Sequence, residues 1–211
     1  MNALEKHLRY ELERFATPKG SLTSLFIGGG TPSCVPAPLY EPLFALLSPY
    51  LALNAEITIE ANPNSATKEW LQTMKSFGVN RVSFGVQSFD NKKLAFLGRA
   101  HDEKGAFEAL RHAKEIGFPH LNLDIIYATI IDTPKLILDD LEKAFSCGVD
   151  HLSCYALTIE QGTKFHATPT VSANDEMLGK LVASTLKEKG FEHYEISNFG
   201  KNRCRHNLGY W

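Results

Sequence analysis

Six stretches of this 211-residue chain carry side chains or bare backbone able to do chemistry. The stretch "SLFIGGGTPS" ends an apolar run, Leu25-Phe26-Ile27, at three glycines followed by Thr31. Glycine tolerates positive φ and lets a ligand approach the backbone. N–H and C=O groups laid bare there suit a phosphate, an amine or a carboxylate. The lysine and serine or threonine of a P-loop are missing. A tight strand-to-helix turn explains three glycines alone equally well.

Three polar residues follow at strand ends. Glu60 in "TIEANP" is a carboxylate with Pro63 stopping the strand; taken alone, an exposed glutamate is the ordinary reading. In "SFGVQSF" Gly85 thins the strand, and Gln87 then carries an amide that must find partners. Asp124 in "LNLDIIY" is the sharpest signal, because a carboxylate among leucines and isoleucines is costly unless paired or ligand-bound. Its structural alternative is a partner such as Arg99 or a backbone N–H. "LGRAH" sets Arg99 and His101 after Gly98, and an arginine fork suits a carboxylate or phosphate; a solvated surface arginine is the alternative. In "RHNLGYW", His206, Asn207, Tyr210 and Trp211 set an imidazole beside two large aromatics. That set suits a flat, iron-bearing ligand, although a turn whose aromatics join a core is the reading that physics alone favours.

The elements that must position these residues are β-branched runs alternating with helical periodicity. Strands are expected at 22–28, 56–62, 80–86, 121–127 and 151–157, with a weaker one at 191–197. Helices are expected at about 38–48, 66–77, 91–97, 103–116, 134–147 and 173–189, after an N-terminal amphipathic helix with Leu4, Leu8, Leu12 and Phe15 on one stripe. Thr67 and Ser172 read as helix starts, and Gly78, Gly117, Gly148 and Gly190 as helix stops. The alternation implies α/β architecture with a parallel sheet. Four successive strands put glycines or polar groups at one rim, which favours a β/α barrel over an open doubly wound sheet. No composition shift divides the chain, so one domain is expected.

Formal net charge is -2, from 22 basic and 24 acidic side chains, which gives no electrostatic reason to expect nucleic acid or an anionic membrane. No apolar run approaches the roughly 18 residues of a membrane helix, and the N-terminus lacks a signal-peptide core. Cys34, Cys147, Cys154 and Cys204 form no C-x-x-C pair, so reduced thiols in a cytoplasmic protein are expected.

Taken in order, "FIGGGTPS", "EANP", "NRVSFGVQSFD", "LGRAH", "LNLDIIY" and "HLSCYALTIEQGT" resemble the coproporphyrinogen dehydrogenase-like branch of the radical S-adenosylmethionine (SAM) enzymes. The resemblance covers nearly the whole chain and implies a partial (β/α)6-type barrel with S-adenosylmethionine across the strand C-termini. It implies that Gly29, Gly30 and Thr31 meet the amino acid end of the cofactor, and that Glu60 assists there or near the ribose. Arg99 would pair with the cofactor's carboxylate; Gln87 and Asp124 would take ribose hydroxyls. The His-Asn-x-x-Tyr-Trp tail is similar to that of the HemW-type haem chaperones. By that likeness His206 is the leading haem-linked residue, with Asn207, Tyr210 and Trp211 around it.

Residues 1–199 are then a partial barrel and 200–211 the start of a C-terminal segment. The C-x-x-x-C-x-x-C that holds the family's [4Fe–4S] cluster has no counterpart here. No metal ligands are therefore assigned in this chain, catalytic residues stay unknown, and a fragment incomplete at its N-terminus is expected. "IIYATIIDTP" also departs from the family's Tyr-Gly-Leu-Pro loop. The first functional reading is a chaperone that binds S-adenosylmethionine and haem and delivers haem to a membrane respiratory acceptor. The second is oxidative decarboxylation of coproporphyrinogen III. A barrel enzyme using the glycine loop for a phosphorylated substrate and a non-functional remnant are remoter readings.

Overall fold

The computed structural model describes residues 2–159, 161–162, 165–166 and 175–209. One sheet contains β1 (Leu22–Ile27), β2 (Leu51–Ala61), β3 (Arg81–Gln87), β4 (His120–Tyr127), β5 (His151–Ala156), β6 (Glu192–His193) and β7 (Asn198–Gly200). Their order is β1-β2-β3-β4-β5-β7-β6. The first five are parallel and pair in chain order. Such a progression never reverses, so it has no switch point, and the sheet curls into a half-barrel.

Between the strands run α2 (Glu41–Leu47), α3 (Lys68–Ser76), α4 (Asn91–Phe96), α5 (Glu103–Ile116), α6 (Pro134–Ser146) and α7 (Asp175–Glu188); α1 (Asn2–Arg14) precedes them and α8 (Arg205–Leu208) follows. The starts are chemically marked. Thr67 accepts Trp70 N–H, Asp102 accepts Gly105 N–H and Thr133 accepts Leu136 N–H, each cap worth about 1 kcal/mol. At the other end of α5, Gly117 takes φ 85°, the left-handed turn that ends a helix without Cβ strain. Ser172 lies outside the described residues.

Strand alternation divides the sheet into two chemistries. Ile57, Ile59, Val82, Phe84, Leu121, Leu123, Ile125 and Leu152 join Leu71, Met74, Leu110, Ile137, Leu141 and Leu186 of the helices in one apolar core. Truncating such a leucine to alanine costs about 2–5 kcal/mol. The alternate residues, Thr58, Glu60, Arg81, Ser83, Asn122, Asp124, His151 and Ser153, line the concave side.

Four expectations need correction. The strand expected at 191–197 is a hairpin, β6 and β7, with β7 antiparallel to β5. The Glu195 carboxylate accepts Ser197 N–H and Asn198 Nδ2, which turns the chain between them. The second strand begins at Leu51, which pairs with Leu22 beyond a register shift. The helix expected at 38–48 is instead two 3₁₀ turns, Ala37–Tyr40 and Ser48–Tyr50, flanking α2, in a run broken by Pro38, Pro42 and Pro49. The N-terminal helix stops at Arg14, where Thr17 N–H returns to Leu12 C=O and Ala16 takes φ 46°. Leu12 is therefore buried while Leu4 and Phe15 are exposed.

Candidate functional site

The concave side holds a cleft that runs from Arg81 and His151, at the starts of β3 and β5, to Phe26, Glu60 and Tyr155 near the ends of their strands; its cavity of about 60 Å³ is space for a few waters or a polar ligand group. Phe26, Glu60, Asp124, Tyr155 and Asn207 are among its lining residues. β1 delivers Phe26 and then the glycine loop. Gly29 and Gly30 have φ of 83° and 59° with open space where a Cβ would stand, so conformation alone demands glycine. At Gly28 space decides instead. A Cβ there would lie 2.5 Å from the Phe26 ring and 3.0 Å from the Glu60 carboxylate. Glu60 Oε2 accepts Gly29 N–H at 3.1 Å, tying the end of β2 to the loop after β1. Ser33 reinforces that junction: its hydroxyl accepts Asn62 N–H at 2.9 Å and shares a hydrogen bond with Ser65 at 2.6 Å. Thr31 opens the 3₁₀ turn Pro32–Cys34 without capping it through its side chain.

Asp124 sits half-buried on β4, accepting Asn122 Nδ2 at 2.9 Å and Ser83 Oγ at 3.3 Å. Burial lifts its carboxyl to about 6; hydrogen bonds from Asn122 and Ser153 oppose the lift and the charge of Glu60 adds to it. It therefore remains mostly an acceptor at neutral pH. Tyr155 is pushed up to about 12, by burial first and then by Asp124, so its hydroxyl keeps its proton.

Gln87 ends β3 at φ 70°, a conformation that costs a non-glycine residue about 1 kcal/mol or more and gathers at functional sites. Its side chain folds back over Gly85, where a Cβ would stand 3.1 Å from its Nε2. The next residues hold it there, because buried Asp140 accepts Ser88 Oγ and Phe89 N–H, both at 2.7 Å. Fully buried Lys93 ties that grip to the loop after β4, 2.7 Å from Asp132 and 3.5 Å from Asp140. Arg99 is half-buried and feels the charge of Asp124, but no ion pair within 4.0 Å joins them among the described residues. His101, beside it, is buried and bonds Val86 C=O at 2.9 Å.

The tail returns to this cleft. Arg81 Nη2 pairs with Glu56 Oε2 at 3.1 Å and approaches the carbonyls of Asn202 and Arg203. Glu56 Oε1 accepts Arg205 N–H at 2.8 Å and the Cys204 thiol at 3.2 Å. That seam places α8 against β1. His206 stacks on Phe26, and Asn207 donates to the Tyr194 hydroxyl at 3.3 Å. Tyr210 and Trp211 lie outside the described residues. The structure thus brings Glu60, Asp124 and Asn207 into one cleft lining and sets His206 on its Phe26 wall; Gly29, Gly30, Thr31, Gln87 and Arg99 are outside that lining.

Thr58, Arg81, Ser83, Asn122, His151 and Ser153 were missed in the sequence. The signal was present as strict alternation: in "RVSF", "HLNLD" and "HLSC" every second residue is polar. Arg81 Nη1 and Thr58 Oγ1 are buried without a protein partner, and both residues belong to the cavity lining. Among the described residues no group of three His, Cys, Asp or Glu side chains is placed to hold a metal ion.

Residues 4–153 match the model of the radical SAM superfamily. The chain is 37% identical over 217 residues to haem chaperone HemW of Mycobacterium tuberculosis, covering 97% of this chain and 56% of that protein. Against haem chaperone HemW of Escherichia coli it is 35% identical over 218 residues, covering 100% and 56%. The chain therefore spans little more than half the length of these curated relatives. The solved structure of Escherichia coli coproporphyrinogen III oxidase, described as a radical SAM enzyme, superposes with TM-score 0.73 at 25% identity, over 89% of this chain and 45% of that one.

Proposed function

The chain belongs to the radical SAM superfamily, and from that premise we propose that it is a haem chaperone that holds S-adenosylmethionine in the concave cleft and haem at the tail motif. The likeness to haem chaperones over almost every residue of this chain supports the reading. The observation that carries it is the shared lining of the cleft, to which Asn207 of the tail contributes along with Glu60 and Asp124 of the strands.

The chain's groups fit the cofactor. The bare loop Gly29–Thr31 offers backbone N–H and C=O to a zwitterionic amino acid end, and Glu60, anchored by Gly29 N–H, offers its remaining lone pairs to an ammonium. Arg99 supplies the charge for the carboxylate. Asp124 and Gln87 take ribose hydroxyls, the first as a mostly ionised acceptor. His206, Asn207, Tyr210 and Trp211 form the haem contact. No ligand set for an iron–sulfur cluster stands among the described residues, so electron delivery, which such a cluster supplies, is assigned to no residue here. The acceptor of the haem is a membrane respiratory protein, met from the cytoplasm; no described helix is long and apolar enough to cross a membrane itself.

A second reading, oxidation of coproporphyrinogen III, draws on the likeness to the oxidase structure. A haem titration of the wild type and His206→Ala, followed by Soret absorbance, separates the two. The chaperone reading expects one haem per chain, lost in the variant, with S-adenosylmethionine binding unchanged. No uptake, or uptake indifferent to His206, sinks it and turns the test to anaerobic assay with the porphyrinogen.

A further inference from the structure

Between the tail and Asp124 runs a chain of hydrogen bonds whose direction follows from chemistry. An ionised carboxylate only accepts, so the Asn122 amide must turn Nδ2 to Asp124 and therefore Oδ1 to His151 Nδ1. An amide oxygen only accepts in its turn, so His151 carries a proton on Nδ1, and in the neutral ring that burial favours Nε2 is then a bare lone pair. The Tyr194 hydroxyl, 2.6 Å away, donates its single proton there. Its oxygen is then left to accept, and it receives Cys204 N–H at 3.1 Å and Asn207 Nδ2 at 3.3 Å. With Asp124 ionised and the ring neutral, reversing any one link sets two donors or two acceptors face to face. Burial agrees with the neutral ring, holding His151 down to about 3. The phenol is also located by its ring, which stands edge-on to the imidazole with centroids 5.6 Å apart.

We propose that Tyr194 is the positioning residue of the tail: its hydroxyl, oriented by His151, Asn122 and Asp124, sets where Cys204 and Asn207 stand and so where His206 meets Phe26. The role rests on the reading of the tail as the haem contact. The turn that Glu195 makes after β6 brings Tyr194 to His151. The hydrogen-bond chain also joins the two halves of the cleft, because it ends on the carboxylate assigned to the ribose.

Two measurements test it. Long-range ¹H–¹⁵N spectra of the histidine rings at pH 7 should show His151 as the Nδ1–H tautomer, with Tyr194→Phe shifting Nε2 while Nδ1 stays protonated. An Nε2–H tautomer or an imidazolium overturns the chain on the wild-type protein alone, even if the variant fails to fold. Haem release from Tyr194→Phe, which keeps the ring, should be about tenfold faster than from the wild type, the scale of one or two lost hydrogen bonds. Release at the wild-type rate overturns the positioning role. Absence of haem uptake by the wild type sinks the haem reading instead, and the tautomer then decides the hydrogen-bond chain by itself.

Discussion

The imidazole of His206 lies 4.1 Å from the ring of Phe26, with 16° between their planes, so the last described turn of the chain is fixed to its first strand. A stacked pair of this kind is worth about 0.5–1.5 kcal/mol beyond the area it buries. Phe26→Leu keeps most of the apolar volume and removes the stacking face. We expect a melting temperature lower by a few degrees and faster haem loss. Soret decay identical to the wild type would show that His206 needs no support from β1.

Gly28 has no such tolerance. The Cβ of Gly28→Ala would press on the Phe26 ring and on the Glu60 carboxylate, and forcing either aside costs about 1–3 kcal/mol. Displacing Glu60 also breaks its bond from Gly29 N–H. Weaker S-adenosylmethionine binding by about tenfold or more, measured by equilibrium dialysis, is expected beside a modest loss of stability by urea unfolding. Binding unchanged in a protein of wild-type stability would remove the glycine loop from the cofactor site.

The raised carboxyl of Asp124 gives cofactor binding a pH dependence. Above pH 6 the group is ionised and, on the proposed assignment, would accept ribose hydroxyls; below it the proton would compete for the same lone pairs. Affinity for S-adenosylmethionine should therefore weaken as pH falls from 7 to 5, approaching tenfold per unit below 6. Asp124→Asn should bind weakly and show none of this slope. Equal slopes in both proteins would assign the titration to another group.

His151 gives folding stability a pH dependence of its own. Its folded value of about 3 lies below the ordinary 6.5, so the unfolded chain takes up a proton that the native ring refuses. The stability that its neutral form contributes is whole above pH 6.5 and is lost as pH falls toward 3, by up to about 1.4 kcal/mol per unit. His151→Gln lacks the titration. The stability gap between wild type and variant, from urea unfolding at pH 7, 6 and 5, should narrow with acid. A constant gap would mean that the ring titrates alike in the folded and unfolded chain, and a gap that widens with acid that it is charged in the native state.

Much of the scaffold was legible because it is local. Apolar runs of period two and helical stripes recover five of the strands, and Thr67 and Gly117 mark element ends through their own backbone preferences. Asp124 was legible too, since a carboxylate inside an apolar strand has to be answered, whereas Glu60 taken alone read as an ordinary exposed glutamate. The polar lumen was not read, because Ser83 or Asn122 is unremarkable alone. Only parallel pairing in register, Ser83 beside Asn122 and Asp124 beside Ser153, turns separate alternations into one wall. The last strand failed for a similar reason: its β-rich composition is real, but Glu195 folds it back on itself.

By itself, then, the sequence determined the order and kind of most elements and the rim on which glycines and carboxylates collect. The tertiary structure alone decided that Asn207 shares a cleft with Asp124, that Glu56 and Arg81 anchor the tail from more than 120 residues away, and that Tyr194 and His151 stand between them. Local propensity reads a few neighbouring dihedrals. Which distant side chains meet depends instead on strand register and loop closure, whose energies belong to the assembled sheet and not to any one segment.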